Sequence, residues 1–263
     1  MLCRILGVSA AVSLALPALA GSFASGVVSY TPGSGTSSAF RNPLVALGSP
    51  ERFTGEGVFP SAVSPFNPAF GTDEIVSIGS GGSLTLQFAQ PVANDANNPY
   101  GQDLLIFGGQ FFIDTDFPNG NAGPIFGAAS NSRVEVSADG QTWLTVTGAQ
   151  ATGLYPTLGY LDLSAPTSTT QGSVLSDFTK PVNPSFDPSG KSFAQIVAGY
   201  NGSGGGTGID IGSTGLSQAS YIRITNLGSA PFSIDAVSAV TPVPSPLAGL
   251  VLSGLLCVRA RRR

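Results

Sequence analysis

Polar and apolar residues alternate strictly over residues 83–88, which read Ser-Leu-Thr-Leu-Gln-Phe. This period of two places Leu84, Leu86 and Phe88 on one face and predicts a half-buried β-strand. Residues 133–137, Arg-Val-Glu-Val-Ser, alternate in the same way and predict a second strand. The local pattern is therefore that of a sheet with one face in a core.

Turn residues connect several of these strands. Asp139-Gly140 follows the strand at 133–137, and residues 141–147 again favour a strand. Because Asp-Gly suits the positive φ angles of a tight turn, we predict a hairpin at this point. Further strands are predicted at residues 103–107, 110–113, 221–225 and 232–237.

Glycine and proline clusters separate the strands. The chain of 263 residues contains 35 Gly and 20 Pro, and only 10% of its residues are charged. Residues 32–70 and 155–191 are predicted to be irregular, and only residues 192–200 fit a short helix. This composition favours an all-β fold, and we predict one antiparallel β-sandwich with long Gly/Pro-rich loops over residues 21–240.

The first twenty residues have the pattern of a secretory leader. Arg4 precedes an apolar run, and Ala18 and Ala20 form the small-residue pattern that signal peptidase reads. We expect residues 1–20 to be a signal helix that is removed, so that the mature chain begins at Gly21. A retained signal anchor is the alternative.

Residues 241–263 form a second terminal segment with three parts. A proline-rich motif is followed by the apolar run 247–258, which as a helix spans about 18 Å, less than the roughly 30 Å of a bilayer core. A transient membrane stop during export therefore suits this helix better than a permanent tail anchor, which is the alternative. The motif and the terminal cluster consist of Pro242, Val243, Pro244, Ser245, Pro246, Arg259, Arg261, Arg262 and Arg263.

This layout resembles the PEP-CTERM sorting signal of exosortase systems. The resemblance implies an exported protein of the cell surface or extracellular matrix, with an exosortase-type sorting protease as its partner. The usual central Glu of that motif is absent, since Val243 or Ser245 stands at its place.

Charge and missing residue types exclude several functions. Residues 21–246 contain all 15 acidic residues and six of the 11 basic ones, a net formal charge of −9, so nucleic acid is an implausible partner. Divalent cations and neutral polymers suit such a body better. The chain has no His, and its two cysteines, Cys3 and Cys257, lie in the terminal segments. His-based metal sites, Ser-His-Asp triads and stabilising disulfides in the body are thereby excluded.

The body contains, in this order, the segments 101–107, 134–143, 208–211, 215–216, 221–225 and 234–237. This order resembles that of exported bacterial surface proteins whose domains are similar to the galactose-binding-like, discoidin-type jelly roll. The resemblance covers roughly residues 75–240 and implies that fold. Relatives tend to have Glu-Asn after the strand that ends at Phe107, where this chain has Gly108-Gly109. If that acidic residue holds a cation in relatives, this chain lacks one ligand there.

Four oxygen-bearing side chains within eight residues form a candidate calcium loop. They are Asp114, Asp116, Asn119 and Asn121. Calcium takes six to eight oxygen ligands, and such loops supply several of them. The spacing does not match an EF-hand, and a solvated turn rich in Asx hydrogen bonds is the alternative.

Four more residues are candidates for binding. Asp103, Asp210 and Asp235 lie at the edges of apolar strands, where a carboxylate needs hydrogen bonds or a shared cation. Trp143, the only tryptophan, is either a sugar-stacking platform or a packing residue of the hairpin.

An enzyme would have to depend on carboxylates alone. Of the four glutamates, Glu51, Glu56 and Glu74 suggest no constellation, and Glu135 is expected to be solvated on the polar face of its strand. We therefore expect a non-catalytic surface or matrix protein. The alternative is a glycan-binding module that recognises exopolysaccharide, and a carboxylate-based glycoside-active enzyme is a more remote one.

Overall fold

The computed structural model describes residues 21–242, and its two main sheets are antiparallel. The strands are β1 (Ala24–Thr31), β2 (Phe53–Thr54), β3 (Ser61–Ala62), β4 (Val76–Ile78), β5 (Ser83–Ala93), β6 (Leu104–Gly108), β7 (Phe111–Asp114), β8 (Ala122–Phe126), β9 (Ser132–Ser137), β10 (Leu144–Thr145), β11 (Thr207–Ile209), β12 (Gln218–Asn226) and β13 (Phe232–Ala239). One sheet has five strands in the order β1-β5-β12-β9-β10, and the other has four in the order β11-β6-β13-β4.

The main core lies between these sheets. The five-stranded sheet contributes Leu84 and Leu86 of β5, both fully buried, as the alternation at residues 83–88 predicts. The four-stranded sheet contributes residues such as Leu104, Ile106 and Ile234. This two-layer arrangement confirms the predicted all-β sandwich, and the pairing of β9 with β10 confirms the hairpin around Asp139-Gly140.

Strand β6 is buried on both of its faces. Leu104 and Ile106 belong to the main core, whereas Leu105 and Phe107 pack with Phe178 on the opposite face. The rings of Phe107 and Phe178 lie 5.2 Å apart at 69°. The continuous apolar run of β6 follows from this, since a strand covered on both faces has no polar side.

The predicted helix is present as α1 (Phe193–Tyr200). Ser192 and Gln195 form a capping box at its start, in which the Ser192 side chain accepts from the Gln195 N–H. The buried Phe193, Ile196 and Tyr200 belong to a second core outside the sandwich. The irregular segment around residues 155–191 is thus packed, although it has few regular elements.

Glu135 is not solvated, and that expectation is wrong. Its residue is 7% exposed, and its Oε2 accepts from Arg223 Nε at 2.8 Å and lies 3.2 Å from Arg133 Nε. Burial opposes ionisation, but the hydrogen bond and charge of Arg223, together with Arg133, lower the pKa of Glu135 overall. The reason is that β12 places Arg223 directly opposite Glu135 in the register.

The terminal predictions concern residues outside the described range. The leader with Ala18 and Ala20, and the sorting segment beyond Pro242, lie outside it. Within residues 21–242, no helix is long and apolar enough to cross a membrane. The two ends of the described chain lie side by side, because the Ala239 N–H donates to the Ser22 carbonyl at 2.6 Å.

Candidate functional site

An open cleft of about 740 Å³ lies on the surface of the described part of the chain, residues 21–242. Its walls come from residues 49–58 and 70–74, with Tyr160 and Gln171 contributed from the later irregular segment. The size is that of an organic ligand site, since such sites range from about 300 to 1,000 Å³. We call this feature the acidic cleft, because Glu51, Glu56, Asp73 and Glu74 line it.

Glu74 builds the wall of the acidic cleft. Its carboxylate accepts the backbone N–H groups of Gly55 at 2.9 Å, Phe70 at 3.1 Å and Gly71 at 2.8 Å. The hydroxyl of Thr54 donates to it as well. Glu74 therefore joins the two irregular segments that face each other across the cleft. Both of its carboxylate oxygens already accept hydrogen bonds from these segments.

Asp235 holds the cleft to the sandwich. It lies on β13 with 2% exposure, and both carboxylate oxygens accept the Glu51 N–H, at 3.1 and 3.2 Å. Burial raises the pKa of Asp235 well above its usual range. The Glu51 hydrogen bond opposes this shift, while the charges of Glu51 and Glu74 add to it. Asp235 thus fixes the position of the Glu51 backbone at the edge of the cleft and does not itself line the cleft.

Three carboxylates of the cleft remain free for a ligand. Within the residues that the structure describes, the carboxylates of Glu51, Glu56 and Asp73 accept no hydrogen bond and form no salt bridge. Burial raises the pKa of Glu51, and the neighbouring charges of Glu74, Asp73 and Glu56 raise it further. The cleft consequently has a negative potential that its own residues do not balance.

Arg52 lines the cleft, but its guanidinium is engaged elsewhere. It donates to the Gly159 carbonyl, to the Ser176 hydroxyl at 3.0 Å and to the Ser176 carbonyl at 2.9 Å. The guanidinium carbon also lies 4.0 Å from the centre of the Phe178 ring. Burial lowers the pKa of Arg52. These contacts leave the cleft carboxylates without a pairing cation from Arg52.

Apolar side chains lie beside the carboxylates. Phe70 is 40% exposed and Val58 is 70% exposed, and both line the cleft. Tyr160 lines it too, and is buried. An exposed ring next to polar groups is typical of sites that bind amphipathic molecules such as sugars.

The candidate calcium loop connects β7 to β8 and has the hydrogen bonds of an Asx turn. Asp114 Oδ1 accepts the N–H groups of Asp116 and Asn121, both at 2.9 Å, and its Oδ2 accepts the Gly120 N–H at 3.0 Å. Although burial acts in the opposite direction, these bonds lower the pKa of Asp114. Asp116 is exposed and accepts from the Asn119 amide at 3.3 Å.

Metal binding by this loop stays a prediction. Among the described residues, no group of three or more His, Cys, Asp or Glu side chains could hold a metal ion. Backbone donors also occupy both oxygens of Asp114. A calcium ion there would have to depend on Asp116 and on amide oxygens, and the Asn121 Oδ1 is buried without a partner.

The structure brings together two of the three candidate strand-edge aspartates. Asp103 is fully buried and accepts from Asn98 Nδ2 at 2.7 Å and from the Ile211 N–H at 2.9 Å. Asp210, one residue before Ile211, is exposed and accepts the Gly212 N–H at 2.7 Å. Asp235 lies apart from them, opposite the other end of β6. These three aspartates do not form one joint site.

Trp143 packs on the outer face of the five-stranded sheet. The Arg223 guanidinium carbon lies 4.2 Å from the centre of its ring, and Tyr221 meets it edge-on at 6.5 Å. A sugar ring would have to use the other face of the indole.

No protein-family model matches the chain, and no curated protein matches its sequence. The likeness to galactose-binding-like domains and to PEP-CTERM signals therefore stays a prediction.

The acidic cleft is the site that sequence reasoning missed. Three of the four glutamates lie between residues 51 and 74, together with Asp73. This local density of acids was the available signal. A shared site could not be predicted from it, because the segment has no periodicity that would place these acidic residues on one face.

Proposed function

We propose that the protein is a non-catalytic exported protein of the cell surface or extracellular matrix whose body binds a glycan in the acidic cleft. The observation that carries the binding function is the cleft itself. It has the size of a ligand site, and it places the exposed ring of Phe70 beside three carboxylates without partners. Exopolysaccharide is the ligand class that suits a surface location.

Export and sorting form the second part of this proposal. The leader at residues 1–20 and the tripartite segment at 241–263 support it, with an exosortase-type protease as the processing partner. The membrane is then contacted only through these terminal segments. We further propose that residues 75–240 form a galactose-binding-like jelly roll. The two layers of antiparallel sheet support this proposal.

A carboxylate-based glycoside-active enzyme is the second candidate, and one observation favours it. Glycosidases use two carboxylates across a cleft, one of them with a raised pKa, and Glu51 lies near Asp73 with its pKa raised by burial. Against it, Glu74 and Asp235 are engaged in holding the backbone. A binding function needs no such pair and accounts for an open cleft whose backbone is held by Glu74 and Asp235.

A glycan array with the full-length protein tests the binding function, once in calcium and once in chelator. We expect retention of a defined glycan and weaker retention by Phe70→Ala, because this substitution removes an exposed ring of the cleft. Retained oligosaccharides are then checked for new reducing ends. If no glycan is retained in either buffer, the glycan function is contradicted. If the wild-type protein releases new reducing ends and Glu51→Gln does not, the protein is an enzyme instead.

A further inference from the structure

We infer that the acidic cleft selects saccharides with free amino groups, whose ammonium groups are received by the separate carboxylates of Glu51, Glu56 and Asp73 while a sugar ring lies against Phe70. This inference rests on the proposed glycan function and names the ligand class of the same site. It is carried by the combination of an organic-sized cleft, an exposed ring and unbalanced negative charge.

No basic residue of the described chain pairs with the free carboxylates of the cleft. Glu51 is partly buried, and Glu56 and Asp73 are exposed at the rim. Arg52 is held by Gly159 and Ser176. A ligand ammonium would form charge-assisted hydrogen bonds, which are about twice as strong as neutral ones.

The geometry favours an organic cation over a bare metal ion. Calcium needs six to eight oxygens at about 2.3 to 2.6 Å, and no group of three acidic side chains in residues 21–242 comes close enough to hold a metal. A cleft of about 740 Å³ is also much larger than an ion requires. Its carboxylates are spread along two walls, which suits an extended ligand with charge at its edge.

The apolar residues of the cleft favour a ring-shaped ligand. Phe70 and Val58 remain exposed where the cleft opens, although burial of such side chains is favourable. A sugar ring has an apolar face and a polar edge, so it can cover Phe70 while its substituents reach the carboxylates. A small aliphatic amine would use the charges without covering the ring.

Two oligosaccharides that differ only in their amino groups test the inference. The full-length protein is titrated in a calorimeter with a glucosamine tetramer and with the corresponding N-acetylglucosamine tetramer. We expect the first to bind at least about tenfold more tightly, which corresponds to about 1.4 kcal/mol. The ratio should shrink when the ionic strength rises from about 0.01 M to about 1 M, because the Debye length falls from about 30 Å to about 3 Å.

Matched variants locate the effect. Glu51→Gln combined with Asp73→Asn should abolish the preference for the free amine, since two cleft charges are lost without loss of volume. Asp116→Asn combined with Asp187→Asn removes the same charge at exposed positions outside the cleft and should keep the preference. Phe70→Ala should weaken both tetramers alike, because both present the same ring face.

The outcomes separate this inference from the proposed function. If the wild-type protein binds both tetramers equally well and Phe70→Ala weakens both, the amine preference is overturned and glycan binding in the cleft remains supported. A preference for the free amine that survives in the cleft variant overturns the location, whatever the control variant shows. Failure of both tetramers to bind overturns the inference, while a glycan retained on the array would still support the proposed function.

Discussion

Asp235 and Glu51, 184 positions apart in the chain, are joined by a bifurcated hydrogen bond. The Glu51 N–H donates to both carboxylate oxygens of Asp235, at 3.1 and 3.2 Å. The bond ties an irregular segment to β13, and it does so with a carboxylate that is 2% exposed. Because Asp235 is buried, its ionisation makes the free energy of unfolding depend on pH. Its hydrogen bond to Glu51 also fixes one wall of the acidic cleft.

The first prediction concerns this pH dependence. The folded chain holds the Asp235 proton more tightly than the unfolded chain, because burial raises its pKa. The contribution of Asp235 to the free energy of unfolding therefore falls as the pH rises above about 3.9, the usual pKa of an unfolded Asp, towards the raised folded value. Asp235→Asn cannot ionise, so its stability relative to wild type should increase over that range.

Urea unfolding at several pH values measures this difference. Asp116→Asn, which removes one exposed charge, is the control and should show no comparable gain. A constant difference between Asp235→Asn and wild type from about pH 4 to about pH 7 would contradict the prediction.

The second prediction concerns the cluster of Arg223, Glu135 and Trp143. Arg223→Ala removes the shorter of the two salt bridges of the buried Glu135, at 2.8 Å, and uncovers the indole face. We expect a loss of about 2 kcal/mol in the free energy of unfolding, because the buried Glu135 carboxylate loses its nearest hydrogen-bond donor. The Trp143 fluorescence should also shift to longer wavelength, since the ring gains contact with water.

Arg133→Ala serves as the control for Arg223→Ala. Its side chain is 43% exposed and its salt bridge to Glu135 is longer, at 3.2 Å, so the loss should be smaller. The double variant Glu135→Gln with Arg223→Ala should lose less than the sum of the single variants, because the two residues interact directly. Strict additivity would show that the pair is not coupled.

The third prediction concerns the loop between β7 and β8. Asp114→Ala leaves three backbone N–H groups without their acceptor, so it should destabilise the protein by about 1 kcal/mol, as loss of a capping carboxylate does. Thermal melts in chelator and in millimolar calcium measure this loss. It should be present in both buffers.

The same melts test the calcium prediction for Asp114, Asp116, Asn119 and Asn121. A bound ion should raise the melting temperature of wild type by several degrees, because ligand binding at a hundredfold excess over Kd stabilises by about 2.7 kcal/mol. Asp116→Ala should remove that increase with little effect in chelator, since Asp116 is exposed. Identical wild-type melts in the two buffers would leave the loop as a turn only.

The fourth prediction concerns maturation. Cleavage after Ala20 and removal of the arginine cluster should give a protein in the native host that starts at Gly21 and lacks Arg263. Intact-mass analysis of exported material decides both points. A mature species that still carries Met1 contradicts the leader, and one that still carries Arg263 contradicts sorting with removal of the tail.

Much of the sandwich could be predicted from the sequence, because strand patterns are local. The alternation at residues 83–88 marks β5 and its buried face, and Asp139-Gly140 marks the turn between β9 and β10. Residues 192–200 could be predicted as a short helix for the same reason, since the capping residues Ser192 and Gln195 of α1 are only three positions apart in the chain. Periodicity and turn chemistry act within a few residues, and they do not depend on the rest of the fold.

Other properties were decided only by the tertiary structure. Glu135 looks solvated in its strand, but it is buried in the fold, where β12 places the partly exposed Arg223 opposite it. Glu51 and Asp73 lie in irregular segments, and they share a cleft because Glu74 joins those segments and Asp235 anchors one of them from a strand far along the chain. Such long-range hydrogen bonds leave no periodic trace in the sequence. The sequence by itself therefore determined the class of fold and its strands, whereas packing between distant segments decided where charge is buried and where a ligand can bind.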